Sequence, residues 1–491
     1  MARGTARLGT ILLAAIAANA VLFAACDDGD GTTFTRTSVE GGGATDDAAE
    51  AASQNDGGTD GGDAGDASLD GDAEAGKVGP TTLATGSGES PSNVIGYGDH
   101  TCVIAGAERS VYCWGANDHG QLGVGGDAGT TLDVNTATKI ATDENGLLFI
   151  NIDEITAAAW HTCARRGDVM FCWGQRFSSA QAEPPSDPAV DRTKPRAIGN
   201  LAVKAIAAGG PHTCALKTNG KFTCFGHSYF NELGRARVND PTCAAPFFYP
   251  YAGEINHTCS GDLTEAMANM MAASTVIAGE IHTCSLSDGH AYCWGNNTFG
   301  QLGVPGAGAG ELNAQEVVTN AMALTPIDQV SAIASGGGKH TCALRAGKVL
   351  CWGSNSTGQL GADPAGLAQR PNAVEVAGIT DATAIGAADG VTCAVRTGGT
   401  VWCWGAGDTG QIGDAGALFD GGLVSATPVQ IKGPGGVGNL TDVVSVAPGR
   451  RHVCARKVDN TVWCWGKNDR GQLGDGSIVD SPNPVKVTGL P

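Results

Sequence analysis

The sequence predicts an all-β, seven-bladed β-propeller that follows a disordered N-terminal tether. Three observations predict it: a motif that returns seven times, strands that are apolar on both faces, and a change of composition near residue 91. Internal repeats of about 50 residues are typical of propellers, in which each repeat forms one four-stranded blade. We therefore divide the 491 residues into 1–25, 26–91 and 92–491, and only the last segment is predicted to form the propeller.

Each repeat contains a His-Thr-Cys strand, a short turn and a second strand that ends in Cys-Trp-Gly. In the fifth repeat, Leu344 and Val349 lie on one face of this hairpin, whereas Leu350 and Trp352 lie on the other. A sheet with one solvated face would show polar residues on that face, so both faces are predicted to be buried between neighbouring blades. A Gly-Gln-Leu-Gly loop or a close variant follows most hairpins, at 120–123, 300–303, 358–361, 410–413 and 471–474.

The two ends of the repeat array suggest how the ring closes. The first repeat begins at 93–95 without a preceding Pro-x-x-Val strand, and the last repeat is followed by such a strand at 484–487. We expect strand 484–487 to complete blade one, because pairing the two chain ends removes two open sheet edges.

The N-terminus has the features of an export signal. Arg3 and Arg7 precede an uncharged apolar stretch, 8–25, which ends in Ala-Ala directly before Cys26. This pattern resembles a bacterial lipoprotein signal, in which the cysteine is lipidated and becomes the mature N-terminus. The alternative is a signal anchor, for which the apolar stretch is barely long enough. We expect an exported protein of the bacterial cell envelope, periplasmic or surface-exposed, that touches the membrane only through lipid on Cys26.

The segment after Cys26 is acidic and poor in large apolar side chains. Residues 27–90 hold 15 acids against Arg36 and Lys77, and such a chain cannot offset its ordering entropy. From residue 91 onward 35 acids face 26 bases, a net charge of −9, which argues against nucleic-acid binding. Residues 66–77 have EF-hand spacing but place Lys77 where a bidentate Glu is needed, so only weak, nonspecific cation binding is expected.

The cysteine spacing predicts disulfides within the blades. Cys342 and Cys351 lie symmetrically about a two-residue turn, so they face each other at a non-hydrogen-bonded pair, where side chains are closest. Pairs spaced by ten or eleven residues need only a longer turn, and no Cys-x-x-Cys zinc spacing occurs. With Cys26 lipidated, all other cysteines pair. The predicted disulfides are Cys102–Cys113, Cys163–Cys172, Cys214–Cys224, Cys284–Cys293, Cys342–Cys351, Cys393–Cys403, Cys454–Cys464 and Cys243–Cys259.

The repeat resembles that of the regulator of chromosome condensation family, which shares the glycine turn, the His, the aromatic-Gly pair and the Gly-Gln-Leu-Gly loop. The resemblance covers about 400 of the 491 residues and implies seven blades. It says little about function, because that family includes a nuclear guanine-nucleotide exchange factor, a plant ultraviolet-B receptor and secreted β-lactamase inhibitors. It also implies that the recurring histidines bond to backbone at the turn: His100, His161, His212, His282, His340 and His452.

Several positions depart from the repeat. Blade three has Phe225 for the tryptophan, blade six is predicted to have Gly390 in place of the histidine, and an insertion occupies 235–274, with a short helix at 263–273. The motif tryptophans are predicted to pack between blades. Tryptophans outside the motif are better candidates for exposed contacts; they are Trp160, Trp402 and Trp463.

The functional prediction is a non-enzymatic binding module on the cell envelope that presents a propeller face to a protein or another macromolecule. The predicted surface combines the irregular blade two loop, 175–192, with the insertion 235–274, since irregular loops on a rigid scaffold carry specificity. No catalytic, cofactor or metal motif is found. Two alternatives stay open: an exchange factor for a small GTPase, by resemblance, and an envelope hydrolase or lyase at the propeller axis. The latter requires a dense cluster of Asp, Glu, His and Arg at one mouth of the channel.

Overall fold

The structure is a computed structural model that describes residues 83–85, 99–126, 132–175, 191–199, 201–227, 230–234, 259–260, 273–335, 338–413 and 424–491. The chain divides into two compact units, 1–73 and 74–491, and all the described residues belong to the second. The predicted signal and Cys26, the calcium-like segment and most of the insertion 235–274 lie outside the described residues. Within the described ranges, no helix is long and apolar enough to cross a membrane.

The second unit is a seven-bladed propeller, as predicted. Every blade is a four-stranded antiparallel sheet, and its strands follow one another along the chain. The first three blades are built from β1 (Leu83–Thr85), β2 (His100–Ala105), β3 (Ser110–Gly115), β4 (Val134–Lys139); β5 (Glu154–Ala157), β6 (His161–Arg166), β7 (Val169–Gly174), β8 (Arg192–Ile198); and β9 (Val203–Ala208), β10 (His212–Lys217), β11 (Phe222–His227), β12 (Cys259–Ser260).

The remaining blades repeat this order. A two-stranded hairpin, β17 (Val318–Asn320) with β18 (Thr325–Pro326), separates blades four and five, and short 3-10 helices span Pro364–Gly366 and Pro434–Gly436. Blades four to seven are built from β13 (Ala273–Ala278), β14 (His282–Ser287), β15 (His290–Asn296), β16 (Gly310–Glu316); β19 (Val330–Ala334), β20 (His340–Arg345), β21 (Lys348–Ser354), β22 (Gln369–Glu375); β23 (Ala382–Ala388), β24 (Val391–Arg396), β25 (Val401–Ala406), β26 (Val424–Gln430); and β27 (Val443–Pro448), β28 (His452–Lys457), β29 (Val462–Gly466), β30 (Ser481–Lys486).

The predicted closure of the ring is wrong. Strand β30, which contains most of 484–487, pairs with β29 and is therefore the fourth strand of blade seven. Blade one takes its first strand from β1, where Leu83 lies opposite Val103, inside the segment assigned to the tether. Blade five also ends in this motif, at Pro371 to Val374 in its fourth strand, so the last copy likewise serves its own blade. Blades seven and one meet through side chains instead, with Thr101 Oγ1 2.7 Å from His452 Nε2.

Seven of the predicted disulfides are present, and each joins the second and third strands of one blade. Their Cα–Cα distance is 4.1 Å in every case, which matches the close approach expected at a non-hydrogen-bonded pair. In blade five the pairing places Cys342 opposite Cys351 across the turn at 346–347, as predicted. Cys243 lies outside the described residues, so the pair Cys243–Cys259 stays a prediction.

The hydrophobic core lies between blades rather than within one sheet. One buried cluster, for example, joins Ile104 of blade one to Ile155 and Trp173 of blade two. The motif tryptophans are all fully buried at such boundaries, as predicted: Trp114, Trp173, Trp294, Trp352, Trp404 and Trp465. Of the other three, Trp160 is only 9% exposed, which contradicts its predicted role in exposed contacts, whereas Trp402 and Trp463 are half-buried.

The antiparallel order gives the propeller two different ends. One end, here called the loop face, carries the turns between first and second strands together with the loops between third and fourth strands. The other, the hairpin face, carries the disulfide-stapled hairpins and the connections to the next blade. The first strands line the central channel.

Candidate functional site

The recurring histidines link each blade to the next one. In each case Nε2 lies 2.7–2.9 Å from the threonine hydroxyl of the following blade. The resemblance had implied a bond to the backbone at the turn, but the partner is a side chain. The pairs are His100–Thr162, His161–Thr213, His212–Thr283, His282–Thr341, His340–Thr392 and His452–Thr101.

A loop carbonyl completes this network. At the boundary between blades five and six, the Gln359 carbonyl accepts from Thr392 Oγ1 at 2.8 Å and from Trp404 Nε1 at 2.9 Å. Because the hydroxyl has one proton and gives it to the carbonyl, His340 must donate its Nε2–H to the hydroxyl. The same carbonyl, hydroxyl and indole arrangement recurs at Gln121, Glu232 and Gln301.

Burial keeps five of these histidines neutral. It lowers the pKa of His100, His161, His282 and His452 to about 3 and the pKa of His340 to about 4. Neutral imidazoles can bind metal ions, but these rings are distributed around the propeller. The described part of the chain holds no group of three His, Cys, Asp or Glu side chains that could share an ion. The histidines therefore act in blade assembly.

The boundary between blades six and seven replaces both partners of this pair. Val391 lies opposite Gly405 as His340 lies opposite Gly353, so Val391, and not Gly390 as predicted, occupies the histidine position. Blade seven has Val453 where the other blades have threonine. Val391 and Val453 are fully buried in one apolar cluster. Donor and acceptor are thus absent together, and neither leaves a polar partner unsatisfied.

The central channel and its mouth differ in chemistry. The channel, of about 240 Å³, is lined among the described residues by small and aliphatic side chains such as Ala157, Ala208 and Val446, with no titratable group. The turns at its loop-face mouth do carry charges: Asp99, Glu280, Lys339, Asp389, Arg450 and Arg451.

Two of the acids at this mouth have defined environments. Asp389 Oδ2 lies 3.5 Å from Arg450 Nε. Asp99 is 5% exposed, and burial raises its pKa to about 7, although Arg450 opposes the shift. The mouth therefore carries some of the charge that an axial hydrolase would need, whereas the described channel wall carries none.

A cleft of about 490 Å³ opens on the loop face over blade six. Gly390 and Ala406 form its base, and the backbone N–H of Ala406 donates a hydrogen bond to the Gly390 carbonyl at 2.8 Å. A Cβ on Gly390 would lie 3.0 Å from Thr357 Oγ1. The φ of Gly390 is 74°, a backbone conformation in which residues with a side chain are strained. The same two positions both hold larger side chains in four other blades, whereas blade one pairs Asp99 with Ala116; the four pairs are Trp160 and Gln175, Ile281 and Asn296, Lys339 and Ser354, Arg451 and Lys467. The cleft exists because blade six lacks these side chains.

The walls of the cleft come from the neighbouring blades. Phe299 of blade four and Lys339 of blade five stand on one side, with Lys339 Nζ 5.1 Å from the centre of the Phe299 ring. Arg450 and Arg451 of blade seven stand on the other. This site was not predicted from the sequence. Its signal there is the Gly and Ala of blade six beside the Arg-Arg turn of blade seven.

Most of the surface predicted from the sequence lies outside the described residues. Of the blade two loop, residues 176–190 lie outside the described residues, and Gln175 at its start is buried. Of the insertion 235–274, only β12 and the beginning of β13 are described. Binding by these two segments stays a prediction.

Comparisons with known proteins support the repeat and the fold. Two models of the regulator of chromosome condensation (RCC1) repeat match the chain, one at residues 203–232, 278–301, 328–359 and 443–472, the other at 110–165, 398–456 and 459–491. The ultraviolet-B receptor UVR8 of Arabidopsis thaliana is 26% identical over 433 residues, which cover 86% of this chain and 74% of the receptor. The human E3 ubiquitin-protein ligase HERC2 is 24% identical over 394 residues, 80% of this chain but only 7% of the ligase.

Solved structures show the same architecture. Yeast RCC1 (Prp20) bound to Kap60 superposes with a TM-score of 0.60 at 20% identity, over 77% of this chain and 84% of that one. Human WBSCR16 gives a TM-score of 0.61 at 19% identity, over 77% and 94% of the two chains. At these identities the likeness shows the fold alone.

Proposed function

We propose that this propeller of regulator of chromosome condensation repeats is a non-enzymatic binding module, anchored to the cell envelope, that presents its loop face to a protein partner. The observation that carries the proposal is the cleft over blade six, a break in the repeat on a closed ring of blades. Such local departures on a rigid scaffold are where binding specificity resides. Yeast RCC1 (Prp20), which has a similar propeller, is bound to Kap60 in one solved structure and has been characterised for binding to Gsp1p and histones.

Two observations bear on the alternatives. The charged mouth, where burial raises the pKa of Asp99 to about 7, favours an axial hydrolase, but the described part of the channel wall carries no titratable side chain. An exchange factor for a small GTPase would need access to cytoplasmic nucleotides, which the predicted export signal opposes. Binding by the loop face requires neither condition.

Photo-crosslinking tests the choice of face. A crosslinking residue placed at Asp408 on the loop face, in the full chain in its native host, is expected to give a saturable adduct with a protein. The same residue at Met322, which is 98% exposed on the hairpin face, serves as the matched control and is expected to give none. Adducts only from position 322, or from neither position, would contradict the proposal.

Lipid anchoring through Cys26 is the second part of the proposal. The seven disulfides support export, because such bonds persist in oxidising compartments and are rare in the cytosol. Metabolic labelling with palmitate should mark the full chain, and Cys26→Ser should abolish the label and release the protein from the membrane fraction. Labelling that survives Cys26→Ser, or an unprocessed cytoplasmic chain, would refute lipid anchoring while leaving the binding role open.

A further inference from the structure

We infer that the cleft over blade six binds an acidic segment of a protein partner, with a carboxylate side chain entering between Lys339 and Arg451. This inference rests on the proposed binding function and specifies the chemistry of the partner. The charge of the cleft, its shape and the groups that line it each support the inference.

The lining of the cleft is basic on a domain that is acidic. Lys339, Arg450 and Arg451 face Asp389 and Asp408, a balance of three bases to two acids, whereas residues 91–491 have a net charge of −9. Asp389 is paired with Arg450 at 3.5 Å, and Asp408 accepts a hydrogen bond from Gln411 Nε2 at 2.8 Å. The side chain of Arg451 is exposed at the rim. The cleft therefore attracts an anion locally where the rest of the domain repels one.

The position of the basic groups fits a carboxylate. Lys339 and Arg451 occupy equivalent turn positions in blades five and seven, and so flank the turn of blade six from both sides. At that turn Gly390 has no side chain to fill the space between them. A carboxylate only accepts hydrogen bonds, and guanidinium and ammonium groups only donate them.

The size and lining favour a side chain carried on a peptide. The cleft extends from Phe299 in blade four to Arg451 in blade seven, and its volume of about 490 Å³ exceeds what a single carboxylate fills. Hydroxyl groups of Ser354, Ser356 and Thr357 line it beside the Phe299 ring. Hydroxyls can bond to the polar backbone of a bound segment, and an aromatic edge can cover its methylene groups.

The probe for this inference is a fluorescein-labelled hexaglutamate peptide, titrated with the full chain at low ionic strength. We expect saturable binding that hexaglutamine does not show and that weakens several-fold between 0.05 and 0.2 M salt, as for any surface charge attraction. Arg451→Glu is expected to weaken binding about tenfold, which corresponds to 1.4 kcal/mol. Ala406→Gln, which copies the residue of blade two into the base of the cleft, is expected to weaken it similarly.

Lys432→Glu is the matched control for Arg451→Glu. Lys432 is exposed on the hairpin face, so this variant changes net charge equally without touching the cleft, and we expect less than a twofold effect. Equal losses in both charge variants would show general electrostatics and overturn the inference. Free glutamate that binds as tightly as the peptide would overturn its peptide part. If position 408 crosslinks a partner whose capture Arg451→Glu leaves unchanged, this inference fails while the proposed function stands.

Discussion

Lowering the pH from 7 to 5 is expected to destabilise the propeller by an amount comparable with its whole free energy of unfolding. Five buried histidines have a folded-state pKa of about 3 or 4, against 6.5 for the free side chain. Below pH 6.5 the unfolded chain takes up protons that the folded chain refuses, so stability is fully present above pH 6.5 and is lost as the pH falls towards 3. Each histidine should cost about 2 kcal/mol at pH 5.

Asp99 works in the opposite direction. Its pKa is raised to about 7 in the folded state, so between pH 7 and its unfolded value of 3.8 the folded chain holds the extra proton. Acidification to pH 5 should therefore return about 2–3 kcal/mol. Five histidines outweigh this single carboxyl, and the net effect is a loss of several kcal/mol, against the roughly 5–15 kcal/mol that is typical of a domain.

Chemical denaturation of the full chain at a series of pH values measures this loss. The control is His340→Val combined with Thr392→Val, which copies the natural pair Val391–Val453 and removes one of the five titrating groups. This double variant should fold, and its loss of stability between pH 7 and pH 5 should be smaller by about a quarter. A free energy of unfolding that is constant between pH 7 and pH 5 would show that the histidines are not excluded from water.

The features that the sequence predicted correctly are those that one repeat contains. The strand pattern of blade five, the two-residue turn at 346–347 and the pair Cys342–Cys351 all follow from residues within a single repeat. Sevenfold repetition then confirms each reading, because the same spacing must satisfy every blade. The fold and the disulfides are therefore determined by residues that lie close together in the sequence.

The features that were mispredicted depend on contacts between repeats. The hydroxyl that binds His340 belongs to Thr392, 52 residues later, and nothing within blade five identifies it. The closure failed because β1 (Leu83–Thr85) lies within the acidic segment that was assigned to the tether, and its pairing with β2 is seen only in the structure. In blade six, Gly390 was assigned to the histidine position that Val391 occupies. The reason for the valine is its contact with Val453 of the next blade, since both are buried in one apolar cluster.

The cleft could have been found from the sequence by comparing equivalent positions across blades. Gly390 and Ala406 are the smallest pair at the two positions that other blades fill, and Arg451 is two residues before Val453 in the adjacent repeat. What the sequence does not give is which end of the blade these positions occupy and that the walls come from blades on both sides. A departure from the repeat indicates a site only after the ring has been assembled.

Reduction of the disulfides is expected to prevent the propeller from refolding. Each of the seven described bonds closes a loop of nine to eleven residues, and such a loop contributes about 2–3 kcal/mol by chain entropy. Together they approach or exceed the roughly 5–15 kcal/mol of a typical domain. The chain unfolded and reduced in denaturant should stay unfolded when the denaturant is diluted in the presence of dithiothreitol.

The native protein should nevertheless resist the same reductant. All fourteen cysteines of these bonds are fully buried, so dithiothreitol reaches them only after the blades separate. The rate of reduction should then equal the rate of unfolding and should not rise with dithiothreitol concentration.

The variant Cys454→Ala with Cys464→Ala removes one bond and should fold with a free energy of unfolding lower by about 2–3 kcal/mol. Thiol counting on the denatured, unreduced chain should find essentially no free cysteine, which also tests the pair Cys243–Cys259. Rapid stepwise reduction of the native chain, or full refolding in dithiothreitol, would show that packing alone holds the blades together.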